Sequence, residues 1–97
     1  MLTLERIKSV VARLSEKYGV KRAYLFGSYA RGEATEDSDV DILIEKGNLT
    51  KYKDYAKFYF ELRDSLEKDV DLQTDKGVHP KMMKLIDQDR IMLYGAA

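Results

Sequence analysis

Apolar residues recur along this chain with two different periods. Leu4, Ile7, Val11, Leu14 and Tyr18 follow one another at steps of three and four, which predicts an amphipathic helix over 4–18 with Thr3 as its N-cap and Gly19 as its stop. Two short β-type runs follow, Val20–Phe26 and Asp39–Ile44, the second ending before a turn at Lys46–Asn48. Between them "SYARGEA" is long enough for about two helical turns, with Gly32 as terminator.

The second half repeats the alternation of types. From Leu49 to Leu66, Tyr52, Tyr55, Ala56, Tyr59, Leu62 and Leu66 share one face of a long helix, with Phe58 and Phe60 about 100° to either side of it. One small sheet cannot bury both flanks, so one of them is expected at a contact surface. Asp69–Thr74 alternates as a third strand, Pro80 opens a last helix with His79 as cap rather than ligand, and Ile91–Tyr94 is a closing edge strand. The order is α-β-α-β-α-β-α with a final β, which places the chain in the α/β (α+β) class.

Ninety-seven residues, 44% hydrophobic and 35% charged, suit one globular domain over 1–97 with one core. The apolar runs are only a few residues long and the amino terminus lacks a basic-then-apolar leader, so no membrane segment is expected and the chain reads as cytoplasmic. The lack of cysteine fits a reducing compartment. A net charge of zero hides an asymmetry: residues 1–31 carry seven Lys/Arg against two Glu, and residues 32–50 carry six Asp/Glu against one Lys. With no dominant basic stripe, direct nucleic-acid binding is not expected; the acidic block points to a cation.

In a strand, residues i and i+2 project to the same side, so Asp39 and Asp41 share one surface while Val40, Ile42 and Ile44 face the core. Two such carboxylates about 4 Å apart repel by roughly 4 kcal/mol at an effective dielectric near 20, and therefore bind a cation or hold a proton. Oxygen ligands select a hard ion, Mg²⁺ or Mn²⁺. In "DVDLQT", Asp69, Asp71 and Gln73 face outward, and one of these carboxylates completes a triad if the strands are neighbours. Three carboxylates can hold two ions about 3.5 to 4 Å apart around a phosphoryl-type transfer. A calcium loop starting at Asp37 is excluded, because its sixth and twelfth positions are Ile42 and Asn48 rather than Gly and Glu.

Gly27-Ser28 supplies the other half of such chemistry. A glycine at a strand-to-helix junction allows close backbone approach, the first N–H groups suit phosphate oxygens, Ser28 adds a hydroxyl, and Arg31 lies one turn on to steady a triphosphate. Gly-Ser alone is an ordinary turn and an Asp-rich turn alone is a solvated one. Their joint spacing, G-S-x₁₀-D-x-D, is what singles the stretch out.

At these residues the sequence resembles the nucleotidyltransferase superfamily of the DNA polymerase β type, and within it the minimal nucleotidyltransferases. "GSYARGEATEDSDVDILI" carries the pattern G-S-x-A-R-G-x₅-S-D-x-D-[IL]-x-[IV] throughout. The resemblance implies a small mixed sheet flanked by helices, with Gly27 and Ser28 gripping the triphosphate of an NTP and Asp39 and Asp41 binding both metal ions. Asp71 would be the third carboxylate and the base toward an acceptor hydroxyl, selected over Asp69 only by its place in the strand. It further implies transfer of a nucleoside monophosphate with release of pyrophosphate. Stand-alone minimal members resemble antitoxins paired with a helical HEPN-type ribonuclease toxin, which some modify with AMP on a tyrosine. The implied function is Mg²⁺-dependent transfer of AMP from ATP to such a partner; the competing reading is an antitoxin that covers its partner without catalysis. The partner is expected beside the 49–66 helix, with Phe58 and Phe60 as anchors.

Overall fold

Capping chemistry sets the first helix as the sequence predicts. The Thr3 side chain accepts the N–H of Arg6 at 3.1 Å, and Gly19 ends the helix in the left-handed region at φ 76°, where a side chain would be strained. In the computed structural model, which describes residues 1–96, this helix is α1 (Leu4–Tyr18). It is followed by β1 (Arg22–Phe26), α2 (Gly27–Arg31), β2 (Val40–Glu45), α3 (Tyr52–Leu66), β3 (Val70–Thr74), α4 (Pro80–Asp89) and β4 (Ile91–Tyr94). The first two strands start one or two residues later than their apolar runs. Helix α3 starts three residues after Leu49, because Leu49 and Thr50 close a turn by donating their N–H groups to the carbonyls of Lys46 and Asn48 and Leu49 itself is buried.

The four strands form one mixed sheet in the order β3-β2-β1-β4. β1 runs antiparallel to β2 and to β4. β2 and β3 are parallel, which requires a crossover, and α3 is that crossover. Alternation then gives each face its own core. Val40, Ile42 and Ile44 point with Leu25 and Val70 toward α1 and α3, meeting Ile7, Val11, Leu14, Phe58 and Leu62. Tyr24 and Leu43 point the other way, under Ile86 of α4. None of the described helices is long and apolar enough to cross a membrane.

The two aromatic flanks of α3 part company. Phe58 is 0% exposed, with its ring edge-on to Tyr18 at 5.7 Å, whereas Phe60 is 55% exposed and Tyr52 86%. The buried stripe therefore runs through Phe58, Leu62 and Leu66, turned by about 50° from the centre of the tyrosine-rich face, with Tyr55 and Tyr59 partly buried at its edge. Tyrosines tolerate a wet edge, and Tyr18 of α1 supplies the packing partner that draws Phe58 inward. Phe58 is a core residue and not a docking anchor; Phe60 remains on the surface. Two variants separate these roles in chemical denaturation: Phe58→Ala is expected to lose about 3 to 5 kcal/mol, while Phe60→Ala stays within about 0.5 kcal/mol of wild type. Equal losses would contradict the packing.

Candidate active site

Three elements deliver the site to one end of the sheet. In the antiparallel pair Phe26 lies opposite Asp41, and in the parallel pair Asp41 lies opposite Asp71. Side chains at directly paired positions share a face, here the face away from α1 and α3. Asp39 precedes β2 at the end of a loop that Thr35 and Ser38 close on each other: Ser38 donates its N–H to the Thr35 carbonyl at 3.1 Å, and Thr35 donates its N–H to Ser38 Oγ at 2.9 Å. The sheet thus assembles Asp39, Asp41 and Asp71 around a central Asp41. Asp69 departs from this group, because Arg63 of α3 donates to its carboxylate at 3.0 Å.

Gly27 answers why a glycine must end β1. Its φ is 74°, and a Cβ built there would lie 2.1 Å from Asp41 Oδ2. The backbone and the carboxylate occupy adjoining space that no other residue type leaves free. Helix α2 then begins without a side-chain cap and ends at Gly32, φ 74°, and its first residue, Gly27, adjoins the Asp41 carboxylate. Ser28 is half-buried there.

Arg31 takes a different course from the simplest expectation. Its Nε donates to Glu33 Oε1 at 3.2 Å and its Nη1 to Asp89 Oδ2 at 2.8 Å, so the guanidinium joins α2 to α4. Sequence separation hides this partner, 58 residues away. Gln73, by contrast, was legible from the alternation that aligns it with Asp71, and its Nε2 donates to Asp71 Oδ1 at 2.9 Å.

Electrostatics single out Asp41. Burial pushes its carboxyl up from 3.8 to about 6, Asp71 and then Asp39 add to the rise, and Arg31 opposes it. Among the described residues no three acidic or histidine side chains converge as a ready metal cage: Asp71 leans to Gln73 and Asp39 is exposed. The donor set nonetheless fits a hard divalent ion in kind, being all carboxylate, with a central member whose charge is poorly solvated and repelled from two sides. A cavity of about 790 Å³ opens beside Asp39, bordered by Arg63, Lys68 and Asp69. The Lys68 ammonium, hydrogen-bonded to the Glu36 carbonyl, closes one wall.

Comparison with known proteins agrees with this geometry. The nucleotidyltransferase domain model matches residues 7–93. The protein adenylyltransferase MntA of Thermococcus cleftensis is 44% identical over 79 residues, spanning 77% of this chain and 76% of that protein. A crystal structure of a toxin–antitoxin with AMP-PNP superposes with a TM-score of 0.78 at 22% identity, over 92% of this chain and 73% of the other. A tri-AMPylated Shewanella oneidensis HEPN toxin in complex with an MNT antitoxin gives 0.72 at 19% identity, over 95% and 72%. At such identities the two structures speak for the fold alone.

The raised Asp41 carboxyl has a consequence for stability. The folded protein holds this proton more tightly than the unfolded chain does, so stability falls as pH rises through the interval from 3.8 to about 6 and the deficit is complete above it. Solvent reaches the carboxyl, which reduces the effect to about 1 kcal/mol. In EDTA, Asp41→Asn is expected to melt roughly 4 °C above wild type at pH 8, and the difference should close below about pH 4. A gap that ignores pH would show that Asp41 is not charged at a cost.

Proposed function

This chain belongs to the nucleotidyltransferase domain family, and from that premise we propose that it transfers AMP from ATP to a hydroxyl of a HEPN-type partner protein, a tyrosine in particular, as the antitoxin of the pair. The whole of residues 1–97 acts as one catalytic domain in the cytoplasm. The observation that carries the reading is the register of Asp41 on Asp71 directly against the Gly27 backbone. It brings a cation-seeking carboxylate group and a phosphate-seeking turn within one side chain's length. The MntA relative and the AMPylated HEPN complex supply the partner and the nucleotide by analogy.

In this scheme the N–H groups of the Gly27-Ser28 turn and the Ser28 hydroxyl hold the β- and γ-phosphates. Asp39, Asp41 and Asp71 would hold two Mg²⁺ ions, for which Mn²⁺ can substitute. Ions held by these carboxylates would supply charge neutralisation for the triphosphate and the departing pyrophosphate. Asp71, the exposed carboxylate at the edge strand, takes the proton of the incoming hydroxyl; the acceptor oxygen bonds to the α-phosphorus, and the bond to the β-phosphate oxygen breaks. Orientation of the acceptor falls to the partner, since positioning is most of what such a transfer asks of a protein.

With the cognate partner, labelled ATP and Mg²⁺, the mass of an AMP group is expected on the partner. Asp71→Asn should slow this transfer by about 10² to 10⁴ while retaining most ATP binding, and Asp39→Asn/Asp41→Asn should lose both. Millimolar Mg²⁺ should raise the melting temperature of wild type and leave the double variant unmoved. Tight complex formation that silences the toxin without any nucleotide transfer would instead establish the non-catalytic antitoxin.

A further inference from the structure

Arg31 is the last residue of α2, and its guanidinium is gripped on two sides before any ligand arrives. Glu33 accepts from Nε on one side and Asp89 accepts from Nη1 on the other, leaving the Nη2 end without a hydrogen bond among the described residues. The two carboxylates are not equivalent. Glu33 stands on the loop after Gly32 with its side chain 59% exposed, whereas the Asp89 side chain is 23% exposed. Asp89 is also the last residue of α4, one turn beyond buried Ile86 and two residues before β4. Asp89 is the more enclosed of the two partners.

Local structure does not account for an acid at that position. The carboxyl end of a helix favours cations, yet Asp89 closes α4 and the last turn of that helix contains no basic residue. Among the described residues the ion pair of Asp89 is with Arg31, across the tertiary contact, while the C-cap Arg90 pairs with Asp87. An ion pair this exposed contributes little stability. Its effect is geometric, since an arginine restrained beforehand loses less rotamer freedom when its planar fork meets a phosphate. Arg31 ends the five-residue helix that Gly27 and Ser28 begin, the turn assigned to the triphosphate.

We propose that Asp89 is a positioning residue for the nucleotide: from α4 it fixes the Arg31 guanidinium so that the free Nη2 end meets the triphosphate. This rests on the nucleotidyltransferase reading above. The opposite role is also chemically coherent, with Asp89 competing against phosphate for Arg31, and it predicts the opposite sign.

Two measurements on the full chain decide. In ¹⁵N NMR spectra the Arg31 Nε–H signal should be slow to exchange in wild type and should broaden or exchange faster in Asp89→Asn, an outcome independent of any nucleotide. In calorimetry with Mg·ATP, Asp89→Asn should bind about tenfold more weakly and Asp89→Glu should recover most of the loss. Arg31→Gln should bind as weakly as the Arg31→Gln/Asp89→Asn double variant, with melting temperatures of the Asp89 variants within about 2 °C of wild type. Unchanged or tighter binding by Asp89→Asn, or additive losses in the double variant, would overturn the positioning role alone. Absence of Mg·ATP binding by wild type would overturn the nucleotidyltransferase reading and this role with it, while the NMR signal would still report whether Asp89 holds Arg31.

Discussion

The structure depends on keeping a half-buried carboxylate, Asp41, between two others on one face of a sheet. Nothing in that arrangement favours folding: burial and like charge both push its carboxyl up to about 6. It persists because the same strand that carries Asp41 also carries Val40, Ile42 and Ile44, all buried on the opposite face. The side-chain period of a strand is two, so a slip of one residue would expose three branched apolar side chains and bury the acids. Core and candidate site are thus locked by one register. Gly27 completes the lock from the neighbouring strand, because its lack of a Cβ is what leaves room for the Asp41 carboxylate.

The two faces of the sheet are covered unequally, and that inequality locates the chemistry. α1 and α3 cover one face with most of the apolar core. On the other, α4 covers Tyr24 and Leu43, which leaves the end holding Asp39, Asp41 and Asp71 to the short helix α2 and solvent. Helix α3 packs on the opposite face of the sheet, but its carboxyl-terminal end borders the cavity beside Asp39 through Arg63. Met82 and Leu85, at 49% and 57% exposed, are the apolar side chains that α4 turns outward.

Much of this was legible in the sequence because it is local. Thr3, Gly19, Gly32 and His79 act through contacts within a few residues of themselves, and each caps a helix where the pattern puts it. Asp39 and Asp41 share a face by strand alternation alone. What escaped is set by relations across the chain. Asp69 and Asp71 are equivalent to alternation, and only the parallel register made by the α3 crossover puts Asp71 beside Asp41 while Arg63 claims Asp69. Phe58 and Phe60 are likewise symmetric about the tyrosine stripe until α1 supplies Tyr18 as a packing partner. The Arg31 pair with Asp89 joins elements from opposite ends of the chain, and no spacing rule predicts it.

These long-range relations also explain why so open a site is compatible with a demanding reaction. Fixed dipoles and charges act strongly only where water is excluded, and here Asp39 and Asp71 are exposed. Under the proposed function, dryness must therefore come from what binds: the nucleotide covers the Gly27-Ser28 turn, and the acceptor protein closes the end of the sheet that α4 leaves bare. Asp41 suits that order of events. Its carboxyl, pushed up to about 6 by burial and then by Asp71 and Asp39, carries its charge at a cost in the free protein, and a cation arriving with the triphosphate would offset that cost. The protein then contributes a rigid register and a restrained arginine, and leaves the remaining walls of the site to its ligands.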